Sequence, residues 1–257
     1  MLPALGHLAF EAAIADDGGF GQAAPILTPA GDGAGRRRGQ KLPPAWNDRR
    51  VSHYGEVSEN PVTGERAICL TDPFEHPDQV LVSHLYVSPG GRVATAHLHP
   101  NLRERFHVLG GQVGFRIGEE EHVLGPGESA EVPPQTLHDW WQLGDEQASV
   151  VVEVEPGIRF VQLVGTMFGL ARDGKSDAKG LPKPLQLAVT VSEFSDTIVI
   201  ASPPPWVQRI AFGLLAPIGR ARGLQPYYQR YIDSEIVVEP DPAALALLDG
   251  DGRLRRD

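Results

Sequence analysis

The sequence predicts a mainly β domain, a sandwich or barrel of the jelly-roll kind, followed by α-helices. Three observations carry this. From about residue 63 to 157, short runs rich in Val, Ile, Leu, Phe and Trp are separated by Gly/Pro turns at close intervals, as in VLVSHLYV, SPGG, VATAHLH, PN and RFHVLGGQVGFRI. The same texture continues through LHDWWQL and ASVVVEVEPG with no helical period between the runs, as an all-β domain requires. Beyond Gly157 the spacing of apolar residues changes to that of a helix.

Taken in order, residues 1–50 are rich in Gly, Ala and Pro and show no useful periodicity beyond a brief helical pattern over 5–15, so a disordered or loose arm is expected. Residues 51–157 are assigned to the β-barrel, and residues 158–232 to a helical extension. The extension begins with IRFVQLVGTMFGLARDG, where Phe160, Leu163, Val164, Met167 and Phe168 fall at helical spacing and Gly174 follows as a stop. PLQLAVTVSEF opens on a proline suited to a first helical turn. PPPWVQRIAFGLLAPIGRARG carries Trp206, Ile210, Leu214 and Ile218 along one side, and Pro217 is expected to kink or end it. Residues 233–257 read as a flexible tail in which AALALL makes a helical turn or two. The helices are apolar enough to need a partner, either the sheet of their own chain or a second subunit, and a homodimer is expected.

Composition removes several function classes. The chain of 257 residues has 23 Lys and Arg against 33 Asp and Glu, a formal net charge of −10, and no basic patch with which to hold nucleic acid. No run approaches the roughly 18–20 apolar residues of a membrane span. The first residues lack the basic flank of a signal peptide, so a cytoplasmic protein without membrane contact is expected. The single cysteine, Cys69, excludes an intrachain disulfide and a thiolate metal cluster.

The chemistry-bearing stretch is HLHPNLRERFHVLGG. In a strand, alternate side chains share a face, so His97 and His99 point the same way. Pro100 and Asn101 then turn the chain, and Glu104 opens the next strand with Phe106 and Val108 on its face and His107 on the other. Two imidazoles and a carboxylate can therefore converge across a strand, turn and strand. His138, at the head of an aromatic strand, can reach the same interior point if the strands close into a barrel. Such nitrogen and oxygen ligands suit Fe(II), Mn(II), Zn(II), Ni(II) or copper and do not discriminate among them. Inward aromatic residues would bound an apolar pocket beside the ligands, with Tyr86, Phe106, Phe115 and Trp140 as candidates. His84 either lines the barrel mouth or faces solvent, and the sequence does not choose between them.

The spacing Gly91, five residues, His97, one residue, His99, four residues, Glu104, six residues, Gly111 resembles the first motif of the cupins at every defining position. The second cupin motif is echoed by Gly127, five residues, Pro133 and then His138, with Gln135 and Gln142 where the family usually has glycine and asparagine. The resemblance covers residues 64–157. It implies a double-stranded β-helix barrel and one divalent metal ion held by His97, His99, Glu104 and His138, with Glu104 also able to leave the metal and act as a base. Cupins include dioxygenases, decarboxylases, isomerases and non-catalytic binding modules, so two expectations stand. One is a metal-dependent enzyme acting on a small molecule, with oxygenase chemistry first. The other is a ligand-binding cupin whose helices serve assembly.

Overall fold

The computed structural model describes residues 53–256; the arm expected over 1–50 lies outside the described residues. Two antiparallel sheets face each other. One has six strands in the order β1 (Val57–Asn60), β2 (Glu65–Thr71), β3 (Leu81–Val87), β10 (Ala148–Glu155), β5 (Arg103–Gly110) and β8 (Ser129–Val132). The other has five, in the order β11 (Val199–Ile200), β4 (His97–Leu98), β9 (His138–Leu143), β6 (Gln112–Ile117) and β7 (Glu120–Leu124). The non-sequential neighbours, β10 between β3 and β5 and β9 between β4 and β6, are those of a jelly roll.

Side-chain alternation sorts each strand into two faces. On β10, Val150, Val152 and Val154 point inward to Phe106, Val108, Phe115 and Trp140 in the barrel core. Val151 points outward to a second apolar layer with Leu70, Val80 and Val82. Strands buried on both faces read as continuous apolar runs, which is why ASVVVEVE hardly alternates. Gly114 on β6 is required by packing: a Cβ there would stand 2.4 Å from the Trp141 indole. Gly111 takes a φ of 70°, the left-handed turn between β5 and β6.

The second apolar layer explains a departure from expectation. The segment expected to be a flexible tail packs over the outer face of the six-stranded sheet. Val237 bridges to Glu56, the short helix α5 (Pro242–Leu245) lays Ala244 on the outer layer, and Leu254 is buried beside it. The Leu254 N–H donates to the Glu153 carboxylate at 2.6 Å, and the Arg105 guanidinium donates to the Leu254 carbonyl at 2.8 Å. An exposed face of Leu and Val needs such a cover, and polar flanking residues in the tail hid its role.

Among the described residues no helix is long and apolar enough to cross a membrane. α1 (Ile158–Arg172) buries Leu163, Phe168 and Leu170. Its Gly169 is in close contact with the Tyr231 ring in α4 (Gln229–Ile232). α2 (Pro184–Glu193) packs through Ala188 and Val189 on Ala216 of α3 (Pro205–Ala221). Pro217 does not end α3, which runs on to Ala221. The carbonyl left without a donor, that of Gly213, sits on the solvent side, and Gly219 seats the last turn against Leu185 and Val189. The opposite side of α3 is unusual. Trp206 is 63%, Ile210 60% and Leu214 67% exposed, so an apolar stripe faces solvent.

Candidate metal centre

His97 lies in β4 directly opposite His138 at the start of β9, so backbone pairing between two short strands sets two imidazoles side by side. His99 follows β4, and Glu104 enters from β5 in the opposite sheet. The ligand atoms of the four residues all lie within 4.8 Å of one another, and all four side chains are buried. The centroids of the three imidazole rings are 4.4 to 5.4 Å apart.

Hydrogen bonds on the far side of each ring fix its tautomer. Nδ1 of His97 donates to the Thr95 carbonyl at 2.9 Å, and Nδ1 of His138 to the Thr136 carbonyl at 3.0 Å. Nδ1 of His99 donates to the Thr197 carbonyl at 2.6 Å. A neutral imidazole that donates from Nδ1 presents a lone pair at Nε2. Those lone pairs aim inward, where His138 Nε2 stands 2.8 Å and His99 Nε2 3.4 Å from Glu104 Oε2. None of these three buried atoms has a hydrogen-bond partner. Lone pair facing lone pair in a buried site is stabilised only by a shared proton or by a cation. Three aligned imidazoles and a carboxylate are more donors than a proton needs, and outer carbonyls that orient metal-binding histidines are a common device. The residues fit a divalent cation with nitrogen and oxygen ligands.

Burial, followed by the neighbouring His138 and His99, pushes the His97 imidazole down to about 3, so it stays neutral. Burial opposes charge on both members of the next pair but is outweighed. The Glu104 carboxylate raises His99 above its usual value, and His99 and His138 hold Glu104 well below the carboxylate range. A carboxylate held so low is a good anionic ligand and a weak base.

The two departures from the second cupin motif lie in the loop before His138 and in β9. Gln135 stands in the left-handed region at φ 64°, the conformation that glycine adopts without strain, and its N–H donates to the His99 carbonyl at 2.7 Å. Gln142 is buried. Its Oε1 accepts from Gly90 N–H at 2.8 Å, and its Nε2 reaches the Leu143 and Glu146 carbonyls at 2.6 and 2.7 Å, so it ties together the two loops beside the barrel rim.

A cavity of about 220 Å³ opens from the cluster into the barrel. Phe106 and Trp140 line it, and Phe115 sits behind Phe106 with ring centroids 5.0 Å apart, in the core instead of on the wall. Tyr86 is a correction. Leu81, Ser83 and Leu85 are the lining face of β3, which leaves Tyr86 on the outer face, stacked on His84 at 4.2 Å. The shape of VLVSHLYV, apolar on both faces, gave no parity by which to place it. His84 is also outside, fully buried and 2.7 Å from Ser149 Oγ. His107 is outward on Ser129.

Sequence reasoning missed the contribution of the helical extension. Phe160, Val164 and Phe168 of α1 form part of the cavity wall, and Phe160 sits edge-on to the His99 ring at 5.7 Å. β11, beyond α2, pairs with β4, and the Thr197 carbonyl just before it aims His99. Also missed was Glu65, which lines the same cavity. Only side-chain parity on β2 relative to Ala67 and Cys69 would have found it.

Residues 83–154 match the cupin domain family Cupin_2. An oxidoreductase of Arthrobotrys oligospora is 28% identical over 199 residues, which cover 68% of this chain and 78% of the relative. Among solved structures, KdgF from a Halomonas species is 19% identical with a TM-score of 0.33, covering 36% of this chain and 79% of its own. An RmlC-like cupin from Shewanella frigidimarina is 17% identical with a TM-score of 0.35, covering 41% and 92%. With its two-sheet jelly roll, its paired motifs and the family match over the central strands, the chain carries a cupin domain, to which a helical extension is joined.

Proposed function

We propose that the protein is a metal-dependent cupin enzyme acting on a small organic molecule, with oxygenase-type chemistry. The observation that carries the reading is the convergence of four buried ligand atoms, three of them without hydrogen-bond partners, at the wall of an apolar cavity. The name of the relative in Arthrobotrys oligospora agrees with redox chemistry. His97, His99, Glu104 and His138 would hold Fe(II), Mn(II), Zn(II) or Ni(II), and such an ion supplies Lewis acidity and, for iron or manganese, a redox partner for oxygen. The chain supplies the rest. The carbonyls of Thr95, Thr136 and Thr197 keep the rings in register, Glu104 keeps a negative charge at the cluster, and Phe106, Trp140 and Phe160 exclude water from the substrate's apolar part.

The test is oxygen uptake by protein purified without chelator and reconstituted anaerobically with iron(II), against a panel of enols and diols. Turnover that disappears in His97→Ala and His138→Ala supports the enzyme. A second reading, a ligand-binding cupin that assembles through its helices, is favoured by the exposed stripe Trp206, Ile210, Leu214 and Ile218 on α3. Its occupant would be a second copy of the chain, giving a homodimer. Sedimentation velocity tests the assembly, a dimer that Leu214→Lys dissociates, and turnover separates the readings: under this one the chain binds ligand tightly without turnover.

A further inference from the structure

We propose that Glu65 is a second polar contact for the ligand of the barrel cavity. That ligand is an elongated, largely apolar molecule with a chelating pair of oxygens at one end and a hydroxyl or carbonyl group further along. The inference rests on the metal reading above and adds the substrate class.

Glu65 shares the inner face of β2 with Ala67 and Cys69, and all three line the cavity that His97, His99 and Glu104 also line. The other carboxylates on the cavity wall are engaged. Asp72 is bound to His53, Glu56 accepts from Ser234 N–H, and Glu104 faces the histidines. Glu65 has one hydrogen bond, from Thr63 Oγ1 at 2.5 Å, and no cation beside it among the described residues. Removal from water pushes its carboxyl up to about 7, so near neutral pH it can both donate and accept.

Glu65 is only partly buried, but a carboxyl drawn out of bulk water against an apolar wall with a single partner still costs stability that Leu or Val would not, so a ligand contact accounts for what packing does not. The two polar points stand at different levels. Glu65 pairs with Val87 at one end of β3, whereas Glu104 pairs with Val154, which pairs with Leu81 at the other end. The two levels are several residues apart along the strand, so a compact chelator such as acetohydroxamate does not reach both. The wall between is made of Leu85, Val93, Trp140 and Val152, with Val161 and Val164 from α1, which suits hydrocarbon.

The test uses the full chain loaded with zinc, which is redox-silent, and isothermal titration with acetohydroxamate, octanohydroxamate and the ω-hydroxy form of the latter. The proposal expects the octyl chain to bind at least tenfold more tightly than the acetyl one, and the ω-hydroxyl to add a further gain. Glu65→Leu should abolish that further gain and Glu65→Gln retain it. Infrared difference spectra should show a carboxyl C=O band that shifts with the ω-hydroxy probe and is missing in Glu65→Gln; this arm decides should Glu65→Leu not fold. Acetohydroxamate binding with an affinity independent of chain length and of residue 65 overturns the inference and leaves the metal centre standing. Absence of zinc and of acetohydroxamate binding alike overturns both.

Discussion

The barrel and the helical extension contribute to one site in different ways. The barrel supplies every donor atom: His97, His99 and His138 from one sheet side and Glu104 from the other. The extension supplies no ligand, yet it aims His99 through the Thr197 carbonyl and builds a wall of the cavity from α1. The same extension then turns an apolar stripe of α3 to solvent. Apolar residues in this chain therefore do two jobs, and only burial tells them apart.

Substitutions that should sharpen this contrast run from large to small. Phe168→Ala, at a buried position on the α1 wall, is expected to lower unfolding free energy by about 3–5 kcal/mol in denaturant titration. An effect no larger than that at the exposed α3 positions would mean that α1 is not part of the core. Gln142→Ala removes the hydrogen bonds that this side chain makes to two neighbouring loops and should cost about 2 kcal/mol by the same measurement.

A smaller effect is predicted for pH. The hydrogen bond and charge of Asp72 push His53 up to about 9, and the hydrogen bonds from His53, acting against burial, hold Asp72 below its usual value. A raised histidine pKa stabilises fully below its unfolded value of about 6.5 and loses that contribution as pH rises through about 9. Thermal stability should thus fall by on the order of 1 kcal/mol across that window, and His53→Gln should flatten the fall. The smallest change is Leu214→Ala on the exposed stripe, expected within about 0.5 kcal/mol of wild type by denaturant titration.

Much of the barrel was legible because strand periodicity and ligand spacing are local. His97 and His99 announce a shared face, and Gly111 and Pro133 mark the turns around the ligands. The rest depends on contacts between distant segments. Tyr86 sits in a strand apolar on both faces, so parity could not be read. The outer face of β10 is covered by residues about a hundred positions later, and nothing in DGRLRRD advertises that Leu254 is buried. Thr197 acts through its backbone carbonyl, a group every residue has, and so leaves no trace in the sequence.

The most direct measurement is equilibrium metal binding by chelator-free protein, followed by competition against a fluorescent chelator, in wild type and in His138→Ala and Glu104→Ala. One divalent ion per chain is expected, with an affinity at least about 100-fold weaker in each variant and release as pH falls, because the ligand imidazoles must be unprotonated to bind. Wild type that binds no ion, or variants that bind it as tightly as wild type, would contradict the account.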